Sequence, residues 1–120
     1  MAVTVTKKFD FCYGHFLPGY SGDCKNQHGH NSEVEIEFGQ NTYPTYNGMI
    51  VDFKDIKKHV GPIIDELDHK NLNDFIEVPT AENICRHLTN QIIARVPFGR
   101  ALVRVRVSET PDSFAEWRRE

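Results

Sequence analysis

The stretch "CKNQHGHNSEVEIEFG", residues 24 to 39, sets His28 and His30 one glycine apart at the entrance to an alternating segment, with Cys24 four residues before the first. Side chains at i and i+2 of a strand point to the same side. The even-numbered face of Val34, Ile36 and Phe38, extended backwards, reaches His30 and His28. The odd-numbered face of Val3, Val5, Phe9 and Phe11, extended forwards, reaches His15. A hairpin of these strands brings all three imidazoles off the ends of inward faces. Imidazole suits zinc, and three protein ligands with one open position is the catalytic arrangement. His15, His28 and His30 are therefore the expected metal ligands. A lone histidine is usually a hydrogen-bonded surface group, but an H-G-H pair aligned with a third inward histidine favours metal.

Cys24 leaves a fork that spacing does not decide. It closes a structural site as a fourth ligand, or it stands free as a nucleophile or base beside an open zinc. A loop thiol near a dication and Lys25 has a lowered pKa, which favours the reactive thiolate. The other two thiols read as structural. Cys12 lies at a strand end with the wrong parity for the histidine face, and Cys85 sits beside Ile84 in a predicted helix.

The elements that position these residues follow from periodicity. Residues 3 to 11 and 31 to 38 alternate as half-buried strands. "DFKDIKKHVGPIIDEL" places Phe53, Ile56, Val60, Ile63, Ile64 and Leu67 on one helical stripe, with Asp52 as N-cap and an interruption at Gly61-Pro62. A second helix starts near Thr80, with Ile84, Leu88 and Ile92 as its apolar face. "ALVRVRVSE" is the clearest strand, and "SFAEWRR" follows a turn at Pro111-Asp112. The order ββααββ implies an α+β domain, an antiparallel sheet with two helices on one face. Edges and an uncovered face point to a homo-oligomer.

With 120 residues the chain suits a single domain over 1–120. Net charge is −3, so no basic excess points to nucleic acid. No apolar run reaches membrane-spanning length, and the alternating N-terminus does not read as a signal peptide. Three cysteines do not read as a disulfide framework, and a cytoplasmic protein is the expectation.

Taken together, "FDFCYGH", "CKNQHGH", "GMIVDF", "LDHKNLND", "PTAEN" and "VSET" resemble, in order and over nearly the full chain, the family of 6-pyruvoyl- and 6-carboxy-tetrahydropterin synthases. The resemblance implies the tunnelling fold: a four-stranded antiparallel sheet with two helices between strands 2 and 3, joined into a barrel of trimers and stacked into a homohexamer with interfacial active sites. It implies Zn²⁺ on His15, His28 and His30. Cys24 becomes the catalytic thiol, with Asp68 and His69 as its partners. Glu109 becomes the anchor for the pterin ring, and Thr80 assists at the pterin pocket. Without the resemblance, Asp68 and His69 read as a helix-end cap, Thr80 as an N-cap and Glu109 as a strand-end carboxylate. His59 and His87 read as surface or packing residues, and Trp117 as packing in the last strand or at an interface.

The short Cys-x-x-x-His-Gly-His spacing is similar to that of bacterial 6-carboxy-tetrahydropterin synthases. These cleave 7,8-dihydroneopterin triphosphate to 6-carboxy-5,6,7,8-tetrahydropterin, acetaldehyde and triphosphate, feeding 7-deazaguanine and queuosine synthesis. The runner-up is the pyruvoyl synthase reaction, which eliminates triphosphate without cutting the side chain. A branch with aldolase-like action carries glutamate near the cysteine position, and Cys24 argues against it. A reading of another class is a non-catalytic zinc module with Cys24 as fourth ligand. One departure stands out: the family has small residues before the first zinc histidine, where this chain has Tyr13-Gly14. A tyrosine there narrows the pocket or rearranges the strand end.

Overall fold

In the computed structural model, residues 3–19, 28–40 and 48–120 are described. Cys24 and Lys25 lie outside them, so the fork at Cys24 is not addressed by the structure. The described elements run β1 (Val5–His15), β2 (His28–Phe38), α1 (Phe53–Asp65), β3 (Lys70–Asn71), α2 (Ala81–Arg95), β4 (Leu102–Thr110) and β5 (Ser113–Arg118). Short 3-10 turns follow β3 and precede β4.

The expected ββααββ order is present, with a correction to the sheet. It has five strands in the order β3-β1-β2-β4-β5, and β3 pairs in parallel with Tyr13 and Gly14. The extra strand arises where the chain leaves α1. His69 takes φ 59°, a left-handed conformation, and its N–H donates to the Cys12 carbonyl at 2.6 Å. That turn lays Lys70 and Asn71 along the edge of β1.

β1 and β2 are longer than their apolar alternation indicated. Their antiparallel register is unbroken from Val5 opposite Phe38 to His15 opposite His28. The histidines therefore belong to the ladder itself rather than to a flanking loop. Val3, expected on the inward face, lies before β1 and is exposed.

The helices cover the face that carries Val34, Ile36, Phe38, Val105 and Val107, all fully buried. α2 packs on β4 and β5, and α1 packs on β1. Asp52 caps α1 by accepting the Lys54 N–H at 2.9 Å. Of the expected stripe, Ile56, Val60, Ile63, Ile64 and Leu67 are buried, whereas Phe53 is exposed in the first turn. Pro62 does not end α1. It removes one donor near the C-terminus, and the Glu66 N–H still reaches the Pro62 carbonyl at 3.1 Å. Cys85 is buried packing, its thiol donating to the Val105 carbonyl. His59 packs edge-on against Phe98, and Trp117 packs half-buried opposite Val105. Among the described residues, no helix is long and apolar enough to cross a membrane.

Candidate metal centre and active site

The regular β1–β2 register delivers the three histidines to one point. Ring centroids lie 4.4 Å apart for His15 and His28, 4.9 Å for His15 and His30, and 4.9 Å for His28 and His30. His15 Nε2 and His28 Nε2 are 2.8 Å apart. β4 adds a carboxylate. The β4–β5 pairing slips between Ser108 and Thr110, so Glu109 sits at a bulge, a feature that re-aims side chains. Its Oε1 lies 2.8 Å from His30 Nε2 and 3.8 Å from His15 Nε2. Ser32, buried beneath, donates to the Ser108 carbonyl at 2.7 Å and holds β4 beside the histidine end.

This arrangement fits a zinc-type cation. The four donor atoms of His15, His28, His30 and Glu109 lie within 4.8 Å of one another. A tetrahedral zinc with imidazole ligands needs edges of about 3.3 Å, which small side-chain rotations supply. His15 Nδ1 lies 2.7 Å from the Pro79 carbonyl. A carbonyl only accepts, so Nδ1 carries the proton and neutral His15 presents a bare Nε2 to the cluster. This is how a metal-bound histidine is usually oriented from behind. Burial lowers the pKa of His15, against the opposing effect of that carbonyl, and burial likewise lowers that of His30. Both therefore favour the neutral, ligating form. His30 Nε2 is buried and makes no hydrogen bond, although Glu109 Oε1 lies 2.8 Å away. A cation at the centre would satisfy it.

Tyr13 stands opposite His30 in the ladder and leaves the strand end regular. Its ring stacks on Phe11 and meets His15 edge-on. It thus fills inward space beside the cluster. Its hydroxyl is buried without a partner, and burial, aided by the Glu109 charge, holds the phenol well above its usual pKa.

Asp68 and His69 come together at the β1 edge. Asp68 Oδ1 accepts the Cys12 N–H at 2.9 Å and lies 3.1 Å from His69 Nδ1. The Cys12 N–H is the leading reason that the Asp68 pKa is lowered, with the neighbouring imidazole adding to it and some desolvation opposing it. A cavity of about 550 Å³ is lined by His28 and His30 on one side and by Cys12 and His69 on the other. Thr80 is the N-cap of α2, accepting the Asn83 N–H at 3.1 Å. It stands next to Pro79, whose carbonyl holds His15.

Two supporting residues escaped the sequence reading. Pro79 acts through its backbone carbonyl, which no side-chain pattern reveals. Asn73 accepts the Phe16 N–H at 2.9 Å and donates to the Phe16 carbonyl at 3.0 Å, clamping the chain just beyond His15. Its place inside "LDHKNLND" was the available signal.

An Archaeoglobus fulgidus protein provisionally named 6-carboxy-5,6,7,8-tetrahydropterin synthase is 39% identical over 109 residues, covering 91% of this chain and 90% of that one. The 6-carboxy-5,6,7,8-tetrahydropterin synthase of Haemophilus influenzae is 29% identical, covering 94% and 96%. The structure of Caenorhabditis elegans 6-pyruvoyl tetrahydropterin synthase superposes with a TM-score of 0.86 at 26% identity, covering 100% of this chain and 97% of that one. The sequence profile described as 6-pyruvoyl tetrahydropterin synthase matches residues 4–120, and the chain belongs to that family.

Proposed function

We propose that this protein is a zinc-dependent carbon–carbon lyase. It converts 7,8-dihydroneopterin triphosphate to 6-carboxy-5,6,7,8-tetrahydropterin, releasing acetaldehyde and triphosphate, in the cytoplasmic route to 7-deazaguanines such as queuosine. The carrying observation is the convergence of His15, His28 and His30, with a buried His30 nitrogen that makes no hydrogen bond. The 39%-identical relative with the 6-carboxy name supports that product over the pyruvoyl one.

Zinc on the three histidines would supply Lewis acidity towards the vicinal hydroxyls of the substrate side chain. The remaining roles fall to side chains of this protein. Cys24 takes a proton from the pterin side chain as a thiolate, and His69 holds and returns a proton on the opposite face. Asp68, 3.1 Å from His69 Nδ1, orients that imidazole and stabilises its cationic form. Glu109 accepts two parallel hydrogen bonds from the 2-amino and ring N–H groups of the pterin. Thr80 fixes the start of α2 and with it the Pro79 carbonyl behind His15. The sheet ends in β3 and β5, edges suited to closing a homohexameric barrel of this chain.

The test is product analysis by mass spectrometry. The zinc-loaded protein is incubated with 7,8-dihydroneopterin triphosphate, with Cys24→Ala as control. The carboxy pterin plus acetaldehyde, lost in the control, is the expected outcome. A pyruvoyl product would keep the site and change the reaction. No turnover with metal bound would leave a structural zinc module.

A further inference from the structure

Cys12 was set aside from the histidine cluster because it points to the other side of β1. On that side the structure surrounds it with ligating groups. One donor atom each from Cys12, Asp68 and His69 lies within 4.8 Å of the others. Asp68 and His69 are separated by 3.1 Å, close to a coordination edge.

Backbone contacts fix the three residues to one another. The Cys12 N–H donates to Asp68 Oδ1, and the His69 N–H donates to the Cys12 carbonyl. The second contact accompanies His69 at φ 59°, a conformation a non-glycine residue adopts only when its surroundings hold it there. Asn31, directly across the ladder, accepts from the Cys12 thiol at 2.9 Å and offers its Oδ1 as a fourth donor. The cavity on this side, about 470 Å³, is also lined by Asp10 and by Glu33, which pairs with Lys8 at 3.7 Å. A thiol, an imidazole and a carboxylate together form a donor set for a soft or borderline divalent metal, not for magnesium or calcium.

We infer that Cys12, Asp68 and His69 form a second site, for a thiophilic divalent cation of the zinc and cadmium class, distinct from the three-histidine centre. Binding forms a metal–sulfur bond and releases the Cys12 thiol proton to solvent. Occupancy takes Asp68 and His69 out of action. That inhibitory consequence rests on the proposed reaction, whereas the binding itself does not.

The test is a cadmium titration of the full-length protein whose histidine site has first been filled with zinc, in a Cys24→Ser background. The readout is the ultraviolet thiolate-to-cadmium charge-transfer band, which histidine ligands do not produce. The band should grow and saturate with one added equivalent. It should vanish in Cys12→Ser/Cys24→Ser and need at least tenfold more cadmium in Asp68→Asn/Cys24→Ser. Circular dichroism and one retained zinc verify that each variant is folded. No band in the Cys24→Ser protein, or an undiminished band in the Cys12→Ser double variant, overturns the site. Turnover by the wild-type protein with no band in the Cys24→Ser protein keeps the proposed reaction and removes this inference, and the band in the Cys24→Ser protein with an inactive wild type does the reverse.

Discussion

Two polar clusters occupy opposite faces of β2 and β4, and they are finished differently. On the face away from the helices, Arg104 contacts Glu37 at 2.5 Å, Glu116 at 3.2 Å and Glu35 at 3.3 Å. Its side chain is only 11% exposed, and every charge around it has an opposite neighbour. Arg106 beside it reaches Glu35 at 3.7 Å and lies over the Phe114 ring. On the helix face, His15, His28, His30 and Glu109 are as crowded, yet the His30 Nε2 and Tyr13 hydroxyl are buried without hydrogen bonds. The first cluster gives every charge a protein partner and leaves one atom, Arg106 Nε, buried without a hydrogen bond. The second is complete only with something added. A buried polar group without a partner costs about 1–3 kcal/mol, so a fold that keeps two of them at one point gains from a ligand there.

The largest contrast should come from crossing the two clusters. His15→Ala removes one of the proposed ligands and leaves the Pro79 carbonyl without its partner. Loss of an outer-shell contact alone costs about 10–100-fold in metal affinity, so zinc affinity should fall by more than about 100-fold. Competition with a chromophoric chelator measures this. Arg104→Ala should leave zinc affinity unchanged but strand Glu35, Glu37 and Glu116 together. Removing one partner of a fully buried pair costs about 3–5 kcal/mol. With these carboxylates 16–27% exposed, about 2–3 kcal/mol is expected after screening, read as a shift in urea midpoint. Equal loss of zinc in both variants would dissolve the distinction between the clusters.

The acid response of the complete cluster gives a smaller effect. Burial pushes the Glu37 pKa up, but hydrogen bonds from Arg104 and Thr4 and the Arg104 charge outweigh it, leaving it below its ordinary 4.5. The unfolded chain therefore binds more protons than the native state in the window just below pH 4.5. The contribution is fully present above that pH and is lost as pH falls through the lower native value. Urea midpoints followed downwards from pH 6 should show this decline in the wild type and a flatter one in Arg104→Met.

The difference between the clusters also explains what the sequence revealed. Period-two alternation exposed β1, β2 and β4, and strand parity alone brought His15, His28 and His30 to one face. It worked because the β1–β2 register has no bulge to break it. From its own pattern Glu109 read only as a strand-end carboxylate, since its approach to the histidines depends on a bulge no local pattern announces. β3 was missed because two residues carry no periodicity, and it exists through one left-handed residue and a backbone bond to Cys12. Pro79 was missed for a related reason: its contribution is a carbonyl. Cys12 was correctly separated from the histidine face, and the same parity rule then left its own surroundings unread.

Tyr13→Phe is the smallest and most selective probe of the incomplete cluster. The substitution keeps the ring stacked on Phe11 and edge-on to His15, and it deletes only the unpartnered hydroxyl. If nothing in the metal-free protein pairs with that oxygen, its removal relieves a desolvation cost, and the apo protein should gain about 1 kcal/mol in urea unfolding. Zinc affinity should not change, because the ligands and the Pro79 carbonyl are untouched. A hydroxyl that instead serves bound substrate would show as a raised KM alongside the stability gain. A loss of apo stability would mean that the hydroxyl has a partner in the folded protein, and the helix-face cluster would then be closer to self-sufficient than its two orphaned atoms suggest.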